Sequence, residues 1–195
     1  YVALYNETPQ HRDNFIKLVR EGYYDNVLFH RIIKDFMVQA GDPNSKDTTF
    51  TGALGAGDIG YKIPAEIAFP QCFHKHGALC AARQSDAVNP ERASSGCQFY
   101  IVTGKVCTDQ EITMLEQRVR AALEKPDFRY TDEIRLFYKT FGGTPHLDGS
   151  YTVFGEVVKG FEVLDILNGV KTGPSDRPLE PVRIITMSIV KNYKK

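Results

Sequence analysis

Neither sign of charge is in excess in this 195-residue chain: 24 basic and 24 acidic residues give a formal net charge of zero. A nucleic-acid or anionic-membrane partner would call for a basic surplus or stripe, so the expected partner is neutral or mixed, with no nucleic acid. Long apolar runs are also missing. No stretch approaches the ~20 residues that span a bilayer, and no basic start leads into an apolar signal core, so no membrane span is expected. Cysteine is scarce: Cys72, Cys80, Cys97 and Cys107 are too few and too scattered for the disulfide framework of a small secreted domain. Tryptophan is absent altogether. Nor is there an initiating methionine; the chain opens on YVALY, which already alternates like a strand. That opening reads as a truncated first strand, with an upstream segment removed or omitted that would have carried any export signal. The compartment expected on this ground is cytoplasm or periplasm, with the periplasm favoured.

Metal and nucleotide chemistry are thinly represented. In CFHKHGALC, Cys72, His74, His76 and Cys80 are zinc-type ligands, and a strand would put His74 and His76 on one face. Neither a CxxC nor a ligand pair on a helix is present, so buried thiols and ordinary histidines are the better account and no metal is assigned. GAGDIG at Gly55 to Gly60 satisfies GxGxxG, but dinucleotide binding needs a helix to open at its end. YKIP follows instead, and Pro64 argues against a helix. A mobile loop bordering a cleft is the expected use of those glycines, and no cofactor is expected.

What the chain does have is 42% hydrophobic residues, enough for one sizeable core, and residues 1–195 are expected to form a single domain. Thr8 and Pro9 open a helix whose stripe is Phe15, Leu18 and Val19 and which Gly22 ends. From Asn26 to Phe69 the pattern is of short strands and Gly-rich loops. GALCAA, QFYIVTG, Tyr151 to Val157 and Val182 to Val190 read as further strands, with a helix at Phe161 to Leu167 closed by Asn168-Gly169. Residues 105–145 differ. Thr108 and Glu111 fit a capping box ahead of Ile112, Leu115, Val119 and Leu123, and a second helix near Thr131 carries Ile134, Phe137, Tyr138 and Phe141 before Gly142-Gly143. The pair reads as a helical insertion whose charged faces are solvated surface, or else a surface that recruits a protein partner.

The stretch FHRIIKDFMVQAGD, Phe29 to Asp42, raises a sharper question. Arg31 sits among apolar residues with no acid beside it until Asp35, although a guanidinium is rarely buried unless paired. Period-two spacing puts Met37 and Gln39 on one face and turns Val38 and Ala40 to a core. If Arg31 and Phe36 reach the first face, the product is an apolar floor with a few directional donors, the usual make-up of a peptide pocket. The alternative is an amphipathic strand with a solvated arginine.

Taken together, NFIKLVREGYYDNVLFHRIIKDFMVQAGDP, KHGALCAAR, SSGCQFYIVTG and LDGSYTVFGEVVKGFEVLD, in that order, resemble the cyclophilin family of peptidyl-prolyl cis-trans isomerases. The resemblance covers most of the chain outside residues 105–145, and the GYKIP and PAEI wording with the helical insert is closest in style to bacterial members. It implies a mainly β fold, an eight-stranded antiparallel barrel capped by helices, acting on proline-containing polypeptides and assisting protein folding, without a cofactor. It places Arg31 on the catalytic arginine, Phe36 and Met37 in the proline pocket, and Gln39 on the glutamine that binds substrate backbone. Ala82 and Arg83 fall on a main-chain site, and Phe99, Tyr100 and Leu147 complete the pocket, Tyr100 replacing a more usual phenylalanine. Two rim positions depart from the family: His146 stands where many members have tryptophan, and Tyr151 where many have histidine. His146, taken as partly protonated near its ordinary pKa of about 6.5, implies weak cyclosporin binding. Against the isomerase stand a proline-peptide-binding or scaffold module of the same fold with little turnover and a zinc-dependent hydrolase built on His74 and His76, which lacks any candidate base at a motif spacing.

Overall fold

Proline at the first position of a helix has no N–H to lose and a φ already helical. In the computed structural model, which describes residues 1–190, α1 accordingly runs Pro9–Arg20. The Thr8 hydroxyl makes no capping bond, and Gly22, at φ 65°, makes the left-handed turn beyond the helix. The expected stripe of Phe15, Leu18 and Val19 is buried, joined by His11.

The strands are β1 (Val2–Leu4), β2 (Phe29–Ile33), β3 (Met37–Ala40), β4 (Lys62–Ile63), β5 (Ala78–Ala81), β6 (Ser94–Ser95), β7 (Phe99–Val102) and β8 (Val153–Val157). Six form one antiparallel sheet in the order β1-β8-β5-β7-β3-β2, and β4 pairs separately with β6. The fold is mainly antiparallel β with helices laid against it. Phe15, Leu18 and Val19 of α1 cover one side of the sheet through Leu79, Phe99 and Phe154. Further along the same face, Leu164 of α4 (Phe161–Asn168) meets Ile32 and Val38. The strand expected at Val182 to Val190 is reduced to an isolated bridge between Leu28 and Arg183. Phe29 N–H donates to Val182 O, Asn26 N–H to Ile184 O and Ile184 N–H to Val27 O, and the pairing stops there. Beyond it Met187 still packs on the core, but Ile185 is 80% exposed.

Between β7 and β8 lie α2 (Asp109–Leu123) and α3 (Asp132–Thr140). The capping box forms in full: Glu111 N–H donates to the Thr108 hydroxyl, and Thr108 N–H donates to the Glu111 carboxylate. Ile112, Val119, Ile134 and Tyr138 share a small core with Cys107 and Tyr130, against which Phe69 and Phe73 of the loop between β4 and β5 also pack. Two details differ from the apolar pattern. Phe141 is 61% exposed, its ring tilted at 45° against that of Phe137 rather than buried. Glu116, on the face read as solvated, is 2% exposed and accepts from Arg120, Arg135 and Tyr130 N–H. A carboxylate enters a core only when its charge is paired and its lone pairs are filled, and three donors from both helices and the loop between them do that here. These contacts predict that limited proteolysis spares the segment between Thr108 and Phe141; rapid cleavage there in the native protein would contradict the packing described.

Candidate active site

In the β2-β3 ladder Arg31 stands opposite Gln39, and in the β3-β7 ladder Gln39 stands opposite Tyr100. Cross-strand neighbours share a face, so these three polar or aromatic side chains lie in one row. Phe36 comes from the β2-β3 turn, where Asp35 takes φ 58°, and its carbonyl accepts the N–H groups of Thr103 and Gly104. That holds the phenyl ring over the end of the row. The result is a cleft of about 570 Å³ lined by Arg31, Phe36, Met37, Gln39, Ala82, Arg83, Tyr100, Leu147 and Tyr151. Met37, Tyr100 and Leu147 form its buried apolar floor, with Phe36 and Tyr151 half-buried against them. A volume of this size suits a short peptide segment.

Arg31 is neither buried nor free. Its Nε donates to Asp176 Oδ2 at 3.2 Å, and both side chains are a little over 40% exposed. The acid missing from the neighbourhood in sequence comes from a turn 145 residues away. His30, beside it, is buried, which pushes its imidazole down to about 4 and leaves it neutral at pH 7.

Gln39 Nε2 donates to Gln98 Oε1 at 3.1 Å. Gln98 in turn donates to the carbonyls of Gly55 and Gly57, whose N–H groups donate to the Asp42 carboxylate. GAGDIG thus borders the cleft as expected, but it is tied down at both glycines rather than loose. A Cβ at Gly57 would collide with the Asp42 carboxylate, so the loop can close on it only through glycine. Gln98 and Asp42 were missed as site residues. The signal was there: an amide and a carboxylate flanking apolar runs in SGCQFYI and QAGD.

The main-chain site divides unequally between its two residues. Ala82 N–H donates to Gln98 O, and Ala82 O accepts Ser95 N–H, so both its groups are taken. The Arg83 side chain is only 2% exposed: it lies over the Tyr151 ring at 4.2 Å, donates to Ser150 O and Gln84 O, and pairs with Asp86. What Arg83 shows to the cleft is therefore its backbone.

Two expectations need correction. Phe99 does not line the cleft; alternation along β7 turns it to the opposite face from Tyr100, into edge contact with Phe15 and Tyr24. His146 backs the cleft rather than lining it, its ring 5.3 Å from that of Phe36. It is not partly protonated at neutral pH either, because burial, with help from Arg118, pushes it down to about 4. The histidines and cysteines of CFHKHGALC take other roles. His74 bonds to Asp148 and Tyr100, His76 to Thr103 O, and the four thiols are free and buried. Among the described residues no helix is long and apolar enough to cross a membrane.

The profile of the family described as cyclophilin type peptidyl-prolyl cis-trans isomerase/CLD matches residues 1–189. The chain belongs to this family. Its function is accordingly that of a peptidyl-prolyl cis-trans isomerase. Among its relatives, peptidyl-prolyl cis-trans isomerase CYP18-1 of Arabidopsis thaliana is 33% identical over 187 residues, which is 96% of this chain and 86% of that one. A longer Streptococcus pyogenes protein, whose name joins a phosphatase to a peptidyl-prolyl cis-trans isomerase, is 35% identical over 94% of this chain but only 35% of its own length. A cyclophilin type peptidyl-prolyl cis-trans isomerase from Cryptosporidium parvum, solved in the presence of the dipeptide Ala-Pro, superposes with a TM-score of 0.65 at 25% identity, covering 98% of this chain and 92% of that one.

Proposed function

We propose that this cyclophilin, one domain over residues 1–195 with 105–145 as an insertion, rotates X-Pro bonds of polypeptides by stabilising the twisted amide at Arg31, and so assists protein folding. The barrier to rotation, about 18–20 kcal/mol, comes from amide resonance, and uncatalysed X-Pro exchange takes tens to hundreds of seconds. No bond is made or broken. As the amide twists, the prolyl nitrogen becomes pyramidal and its lone pair localises, so a guanidinium directed at it stabilises the top of the barrier more than either isomer. Phe36, Met37, Tyr100 and Leu147 hold the ring and exclude water, while Gln39 and the Arg83 backbone fix the flanking peptide. Turnover of about 10³ per second needs a gain of about 10⁵, or roughly 7 kcal/mol. One charge-assisted hydrogen bond in a drier site together with orientation is of that order.

The observation that carries this reading is the convergence of Arg31, Gln39 and four apolar walls on one cleft. One contact favours the second reading, a proline-binding module with little turnover: Asp176 already holds Arg31. The magnitudes decide against it. The pair engages only Nε and is half-exposed, so it contributes at most about 1 kcal/mol, and a substrate can displace it or use the terminal nitrogens. A protease-coupled assay on an Ala-Pro tetrapeptide separates the readings. The isomerase speeds the slow phase in proportion to protein added; a peptide that binds without any change in that phase would establish the module instead.

A further inference from the structure

Four polar side chains that peptide rotation does not use form one buried chain of hydrogen bonds that ends on the hydroxyl of Tyr100. Tyr138 Oη, from α3, donates to Asp148 Oδ2 at 2.6 Å, and Tyr130 Oη, from the loop between the two inserted helices, donates to the same oxygen at 2.7 Å. The other carboxylate oxygen accepts the His74 N–H at 2.9 Å and lies 2.8 Å from His74 Nδ1. His74 Nε2 lies 3.0 Å from Tyr100 Oη. The proton positions follow from chemistry. In the neutral imidazole, an Nδ1–H that donates to the carboxylate leaves Nε2 as the acceptor of the Tyr100 phenol. Tyr138 is fully buried, and Asp148 and His74 are each 1% exposed, so none of these bonds has water to replace it.

We propose that the helical insertion is a positioning element of the proline pocket, acting through Tyr138 and Tyr130 on Asp148, through Asp148 on His74, and through His74 on the hydroxyl of Tyr100. This rests on the reading of the cleft given above and assigns the insertion a role in it. Tyr100 is the one floor residue whose ring is anchored at its far end by a directed bond; Met37 and Leu147 are held by packing alone. A phenylalanine there would have no such anchor. The tyrosine and the insertion therefore belong to one device: α3 and the loop before it carry the donors that fix the carboxylate, and the carboxylate fixes the imidazole that fixes the ring. Buried networks of this kind act as a unit, so removing one member is felt at the next.

The test uses Tyr138→Phe, which keeps the ring and leaves Tyr130 on Asp148, with Tyr130→Phe as the second variant if the first folds poorly. Three quantities are measured: affinity for an Ala-Pro tetrapeptide by titration, the split of kcat from KM, and the ring-carbon resonances of labelled Tyr100. We expect peptide affinity to weaken about three- to tenfold, with KM rising in parallel and kcat within twofold of the parent, since Arg31 is untouched. The Tyr100 resonances should move. In a Tyr100→Phe background the same substitution should lose most of its effect on affinity, because the link it acts through is gone. A purely structural role would lower the melting temperature and leave affinity and the Tyr100 resonances as in the parent; that result, or full additivity of the two substitutions, overturns the proposal. Should the parent bind the peptide without turning it over, the catalytic reading falls while affinity still tests the insertion. Should it not bind at all, the Tyr100 resonances alone decide.

Discussion

His146→Trp is expected to tighten cyclosporin binding by ten- to several-hundredfold, the parent being expected to bind it weakly while turning over proline peptides. In the family the rim tryptophan donates its indole N–H to the cyclic peptide and covers apolar surface with a large bicyclic ring. His146 stands at that position, half-buried against Phe36. Imidazole is smaller, and burial pushes it down to about 4, so at pH 7 it is neutral and the deficit is one of area and hydrogen-bond placement, not of charge. At about 25 cal/mol per Å², losing several tens of Å² of contact costs on the order of 1–2 kcal/mol, and a misplaced hydrogen bond adds about as much. Those losses convert to the stated range at 1.4 kcal/mol per factor of ten. Titrating cyclosporin into the tetrapeptide assay for both proteins checks it. Potent inhibition of the parent, or no tightening in the variant, would remove His146 as the determinant.

Arg31→Ala is expected to lower turnover ten- to a hundredfold while the fold stays intact. The side chain is 42% exposed and its one ion pair, to Asp176, is of the surface kind, so its removal costs at most about 1 kcal/mol of stability. The bond lost at the twisted amide is charge-assisted and made in a cleft with apolar walls, which is worth about 1.5–3 kcal/mol. Because it is made mainly at the top of the barrier, kcat and kcat/KM should fall together with little change in KM. Unchanged circular dichroism with activity within a factor of two of the parent would show that the role given to Arg31 is wrong.

Local structure is legible in the sequence where one residue settles its own neighbourhood. Pro9 begins α1, Thr108 and Glu111 cap α2, Gly169 ends α4, and alternation puts Met37 and Gln39 on the cleft side of β3. Errors arose where the deciding partner is distant. Arg31 has its acid 145 residues on, and Glu116 looks like surface until Arg135 and Tyr130 arrive from other elements. Phe99 and Tyr100 show the limit of resemblance: adjacent aromatics in a strand face opposite ways, and only the cross-strand register says which one lines the cleft. His146 carries the same lesson for charge, since its protonation is set by what buries it.

The central claim, that the cleft lowers a rotational barrier instead of merely holding proline, is tested most directly by exchange NMR on an Ala-Pro tetrapeptide with a small fraction of this protein. The account predicts exchange cross-peaks between the cis and trans forms that are absent without protein, an unchanged ratio of the two forms in the free peptide, and near loss of the cross-peaks with Arg31→Ala. Chemical-shift changes that report binding, with no cis-trans exchange at any protein concentration, would contradict it.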